Sequence, residues 1–250
     1  MRGMKEATNM LDTTKTVREL ALEVPNSIRV FQKLGIDFCC GGARPIDEAC
    51  EAAGVELGTF RRLMEEEAAR GTQGGRDFQR VTLAELIRHI LDTHHVYTRE
   101  EMERLDFLLA KVTSKHGEAH PELLGVGALF QRLCAELTPH MFKEEQVLFP
   151  YILRLEEAAA ADRPAPFAPF GTVENPVRMM LREHDAAGDL LRELRAVTGG
   201  YAVPPDACMS FRALYEGLEA FEKDLHQHIH LENNVLFPRA VALEDAAVAV

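Results

Sequence analysis

Two eleven-residue stretches contain residues that can hold a metal. HMFKEEQVLFP at 140–150 and HIHLENNVLFP at 228–238 share a histidine, a glutamate four residues on, and Val-Leu-Phe-Pro at the same offsets. On an α-helix, positions i and i+4 lie on one face about a turn apart, so His140 with Glu144 and His228 with Glu232 each aim two donors at one point. One HxxxE is commonplace on solvated helix faces, whereas two copies with a common tail are not. Each also has a partner upstream: His95 precedes His140 by 45 residues, and His184 precedes His228 by 44.

Long helical periodicities over 81–115, 121–155, 174–198 and 205–240 would position these groups. The Pro/Ala-rich stretch AAAADRPAPFAPFGTVENP separates the second from the third, leaving two matching helix–loop–helix repeats. The predicted fold is all-α: an up-down four-helix bundle behind a small N-terminal helical domain. Apolar stripes set the registers, since a ligand must face the bundle interior. His95 falls with Leu91, Thr98, Met102, Leu105, Leu109 and Val112; His140 and Glu144 with Phe130, Leu133 and Leu137; His184 with Val177, Leu181 and Leu191; His228 and Glu232 with Leu214, Leu218, Phe221 and Leu225. His94 shares a line with Glu101 and Arg104, and Glu145 points away. His226 and His230 fall with Glu219, Glu222 and Asn233 and read as solvated. His116 is 21 residues beyond His95, roughly 31 Å along a continuous helix, too far to join, and His120 reads as a loop residue.

Four histidines and two glutamates on an interior stripe are costly to bury without a cation, the alternative being a hydrogen-bonded polar core. With both glutamates bridging and two histidines on each ion, every metal receives two nitrogens and two carboxylate oxygens. An oxo or hydroxo bridge adds a fifth ligand and leaves a position for a small molecule. Donor softness suits iron, manganese or zinc. Ferritin-like sites are richer in carboxylate, so this nitrogen-rich set points to two iron ions in a haemerythrin-type site.

The rest of the chain divides into an N-terminal tail (1–15), a Cys-Cys-containing helical domain (16–70), a Gly-rich linker (71–80) and the bundle (81–242). In the small domain Pro25 opens a helical run to Leu34, Gly35 stops it, Pro45 suits a helix first turn and Gly54 a C-cap. Cys39 and Cys40 are not a CxxC pair, and a disulfide between neighbours is strained. Gly41 and Gly42 permit a tight turn after them. A buried structural role and a reactive role both remain open for these thiols. Cys50, Cys134 and Cys208 lie among Ala- and Leu-rich residues and are expected to pack.

The net charge of −12 and the lack of a Lys/Arg-rich stretch argue against nucleic acid. The N-terminus lacks the apolar run of a signal peptide, and no window nears the ~20 apolar residues of a membrane helix, so the expectation is cytoplasmic. Five cysteines, an odd number, give no disulfide framework and fit a reducing compartment.

Taken together, IDFCCGG (36–42), HMFKEEQVLFP, REHDAAGDLL (182–191) and HIHLENNVLFPRA (228–240) make the sequence resemble the repair-of-iron-centres proteins from about Thr16 to Ala242. The resemblance implies a response to nitrosative and oxidative stress in which damaged iron–sulfur proteins regain their clusters, with a labile di-iron site as the iron source. It implies His95, His140, Glu144, His184, His228 and Glu232 as ligands, the six that spacing selects. It further suggests Glu136 and Glu183 as lining a route to the metals, and favours Cys39 and Cys40 as a reactive pair that takes up iron, nitrosyl groups or electrons. Alternative activities are reduction of nitric oxide at the open positions and reversible O2 or NO sensing. Expected partners are damaged iron–sulfur proteins and NO or O2, with the chain a monomer or homodimer. The longer N-terminus and the Pro/Ala-rich insertion depart from the family pattern without touching its motifs.

Overall fold

The structure, a computed structural model, describes residues 14–24, 27–69 and 77–248. The expected tail before Thr14, Pro25 and the glycines of the linker lie outside the described residues. The chain forms two units, one running through Val81 and taking in His230–Val235, the other comprising Thr82–Ile229 and the chain from Leu236.

The first unit contains α1 (Val17–Glu23), α2 (Ser27–Leu34), α3 (Ile46–Ala52) and α4 (Leu57–Ala69). Thr16 caps α1 in a capping box with Glu19, closing two orphan N–H groups at once. The Val17 and Arg18 amides donate to Arg44 and Gly42 carbonyls at 3.0 and 2.8 Å, so the start of α1 is tied to the end of the Cys-Cys loop. Phe31 lies at the centre of the core, its ring stacked with Phe38 at 6.1 Å and Phe60 at 6.0 Å. Gly35 and Gly54 take the positive φ that ends α2 and α3, as their positions in the sequence suggested.

The second unit is the bundle. Its first helix is α5 (Leu83–His89), a π-helical turn Ile90–His95 and α6 (Val96–His116), and its second is α7 (Glu122–Lys143), a π turn Glu144–Leu148 and α8 (Phe149–Ala160). The third, α9 (Glu174–Val197), is uninterrupted, and the fourth is α10 (Met209–His230), a π turn Leu231–Leu236 and α11 (Phe237–Val248). Thr82 and Glu85 form a capping box that fixes the entry to α5. The apolar half of the bundle is filled by Leu105, Leu109, Phe130, Leu133, Leu190, Leu194, Phe211, Leu218 and Phe221. No helix among the described residues is long and apolar enough to cross a membrane.

Candidate metal centre

Three of the four bundle helices change register where they present donors. His95 is the last residue of one π turn, Glu144 the first of the next, and Glu232 lies in the third. The i, i+4 relation of His140 to Glu144 holds, the Glu144 amide bonding to the His140 carbonyl, but the helices that the sequence reading took as unbroken change register beside these donors. The Phe149 amide bonds to the Glu144 carbonyl, and Val96 to Leu91, each an i to i−5 bond. After Phe149 comes Pro150, which has no N–H to return the ladder to its α register. The repeated Val-Leu-Phe-Pro was thus the available sign of the second and third of these turns, whereas the first carries no such mark.

Six side chains converge, none more than 3% exposed: His95, His140, Glu144, His184, His228 and Glu232. They form two groups whose donor atoms lie within 4.8 Å of one another, His95, His228, Glu144 and Glu232 in one, His140, His184, Glu144 and Glu232 in the other. Both glutamates are shared. Glu144 Oε2 lies 3.5 Å from His95 Nε2, and its other oxygen, Oε1, 3.3 Å from His140 Nε2. The histidines pair across the two repeats rather than within them: His95 Nε2 is 3.2 Å from His228 Nε2, and His140 Nε2 is 3.0 Å from His184 Nε2.

The imidazoles are oriented from behind. His95 Nδ1 is 2.7 Å from Glu145 Oε1 and His140 Nδ1 is 2.8 Å from Glu183 Oε2. Arg99 also bonds Glu145, and Lys143 bonds Glu183. Hydrogen bonds from His140 hold the Glu183 carboxyl down at about 2 against burial, with Lys143 helping. Burial pushes Glu145 upward, but His95 and Arg99 outweigh it and its carboxyl stays below the ordinary value. Two ionised acceptors make Nδ1 the donor in His95 and His140, so the Nε2 of each turns a lone pair toward the centre. Four buried imidazoles and two buried carboxylates with donor atoms this close are a set that fits a divalent cation.

The stripe analysis placed some neighbours wrongly. Glu145 was expected to point away but is the partner of His95. His94 is buried too, yet turned aside: its Nδ1 meets Asp224 at 3.0 Å and its ring stacks on His228 at 5.6 Å. His230, expected in solvent, is buried with its line-mates Glu222 and Asn233, and His226 is half-buried. Glu222 pairs with Arg195 at 3.0 Å, while His230 lies 5.6 Å from the Phe38 ring. The line they share faces other protein groups, and a bundle-interior criterion cannot register that. Glu183 orients the His140 ring, a role that spacing did not suggest, whereas Glu136 pairs with Arg132 at 3.1 Å. Cys208, expected to pack, is exposed with its sulfur 3.2 Å from His116 Nε2. Cys50 is buried in the core of the first unit, and Cys134 packs partly buried against that of the bundle.

In the first unit, Asp37, Cys39 and Cys40 bring one donor each within 4.8 Å of the others. The Cys39 thiol is held well above its ordinary pKa, first by its hydrogen bond with Cys40 and by burial, then by the nearby Asp37 charge.

Comparison with known proteins agrees with this arrangement. The haemerythrin HHE cation binding domain matches residues 86–240, and an N-terminal domain of the ScdA type, a domain of unknown function (DUF542), matches 13–68. The chain is 38% identical over 226 residues to the iron-sulfur cluster repair protein YtfE of Cronobacter sakazakii, covering 90% of this chain and 96% of that one. It is 35% identical over 224 residues to the probable iron-sulfur cluster repair protein of Haemophilus influenzae, with 89% and 95% covered. Against YtfE of Escherichia coli the identity is 34% over 226 residues, covering 90% and 96%. With an N-terminal DUF542 domain and a cation-binding haemerythrin HHE bundle, the chain belongs to the family of iron–sulfur cluster repair proteins.

Proposed function

We propose that the bundle holds two iron ions in labile form and that the chain gives up iron to iron–sulfur proteins whose clusters nitrosative or oxidative stress has damaged. The observation that carries this reading is the Glu144 carboxylate, which turns one oxygen to a histidine of each pair while Glu232 belongs to both donor groups. His95 and His228 would hold one ion, His140 and His184 the other, with Glu144 and Glu232 bridging. When bound, the ions would supply ferrous iron as cargo and Lewis acidity toward a small ligand such as nitric oxide. Two nitrogens and two shared oxygens per ion make a sparse protein shell, which favours release over permanent retention. That the relatives are iron-sulfur cluster repair proteins supports damaged clusters as the target.

The test loads the full chain with isotopically labelled ferrous iron and incubates it anaerobically with an iron–sulfur enzyme damaged by nitric oxide. The expected result is label in the recovering enzyme, in step with its activity, without catalytic nitrous oxide. Label that stays on the chain while nitrous oxide exceeds one turnover would replace donation by an enzymatic reading, in which repair follows from removal of nitric oxide.

A further inference from the structure

The Cys-Cys loop of the first unit is held by hydrogen bonds to its backbone. Asp37 Oδ1 accepts the amides of Cys39 and Cys40 at 3.1 and 2.9 Å. Asn233 donates to the Cys39 carbonyl and Asn234 to the Phe38 carbonyl, each at 3.1 Å. A Cβ at Gly41 would come within 3.3 Å of Asp37 Oδ2, so glycine keeps the space beside that oxygen clear. Donors fixed in this way lose little freedom on binding.

The spacing of the three donors has a specific meaning. The sulfurs stand 3.6 Å apart and Cys39 Sγ is 3.4 Å from Asp37 Oδ1. A disulfide would need about 2.05 Å. Around a tetrahedral ion with metal–sulfur bonds of about 2.3 Å and metal–oxygen bonds of about 2.0 Å, the sulfur–sulfur edge is about 3.8 Å and the sulfur–oxygen edge about 3.5 Å. Both distances in the loop are within a few tenths of an ångström of those edges. Cys39 is buried, while Cys40 is partly exposed and leaves a way in from solvent.

We propose that Asp37, Cys39 and Cys40 form a three-donor site for one borderline-soft divalent cation, of the class of ferrous iron or zinc, with its fourth position open to solvent. Two thiolates with a carboxylate suit that class better than magnesium or calcium. Binding forms two metal–sulfur bonds and releases two protons, with no change of oxidation state. The site is separate in its donors from the histidine–glutamate centre and does not rest on the repair reading.

The experiment titrates Co2+ anaerobically into the full reduced chain. The bundle centre offers only nitrogen and oxygen, so a thiolate-to-cobalt charge-transfer band in the near ultraviolet reports the loop. At saturation the band should have the amplitude of one thiolate-bound cobalt per chain, vanish in Cys40→Ser, persist in Cys50→Ser and Cys208→Ser, and need at least about tenfold more cobalt in Asp37→Asn. Asparagine keeps the Oδ1 bonds that shape the turn, so its effect isolates the lost charge. Cobalt should also protect Cys39 and Cys40 of the unaltered chain from alkylation, read by mass spectrometry. Absence of the band, its survival in Cys40→Ser, or equal alkylation with and without cobalt would each overturn the proposal.

Discussion

His95 and His228 lie 133 residues apart in sequence, yet their Nε2 atoms stand 3.2 Å from one another. They belong to different repeats, and His140 and His184 mirror the relationship at 3.0 Å. Each pair includes one ring held at Nδ1 by a carboxylate, Glu145 behind His95 and Glu183 behind His140.

Replacing those carboxylates should weaken metal binding without removing a ligand. Glu145→Gln and Glu183→Gln are each expected to lower iron affinity by about 10- to 100-fold, because the ring loses its fixed tautomer and basicity. Competition with a chelator of known affinity measures this. Glu144→Gln should do more, depleting both ions together since that carboxylate faces both pairs. Unchanged retention in all three variants would mean that the rings are oriented by packing alone.

Removing metal should destabilise the bundle without unfolding it. At a free metal concentration a thousandfold above Kd, binding contributes about 4 kcal/mol, or roughly 10 °C in Tm for a chain of this size. Chelation followed by thermal scans should show that loss, with helical circular dichroism retained at room temperature because the far half of the core is apolar. Re-addition of ferrous iron should restore Tm. A Tm indifferent to chelation would count against a tightly held cation.

Pro150 should matter for metal more than for fold. Pro150→Ala returns an N–H just after the i to i−5 bond from Phe149 to Glu144, allowing the π turn to relax toward the α register. The expected outcome is a several-fold loss of iron affinity with a metal-free Tm that is unchanged or higher. A lower metal-free Tm with normal iron binding would assign the proline to stability instead.

At the other end of the bundle, His120 lies between Asp206 and Glu122, at 3.1 and 2.9 Å. Hydrogen bonds from Asp206 first, then Glu122, raise its pKa above the ordinary histidine value. A raised folded value means that the charged ring favours the folded state at pH below the ordinary value, and that this contribution fades as pH rises through the raised one. An NMR titration of the ring should show a midpoint above about 6.5 that falls in Asp206→Asn. A midpoint that does not respond to that substitution would show the contact to be unimportant in solution.

Much of this was legible in the sequence because helical periodicity and ligand spacing are local. The duplicated HxxxE-xx-VLFP stretches, the aligned His95 and His184, and the stripes through Leu133 and Leu218 follow from 3.6-residue geometry and the need to bury apolar surface. Gly35 and Gly54 marked helix ends because they can adopt positive φ. The tertiary structure alone decided which histidines face one another, since pairing across repeats depends on which helices become neighbours. It also revealed the carboxylates behind His95 and His140. Glu145 lies off the interior stripe of its own helix and reaches His95 because a neighbouring helix brings the ring to it, a relation that no single-helix pattern encodes.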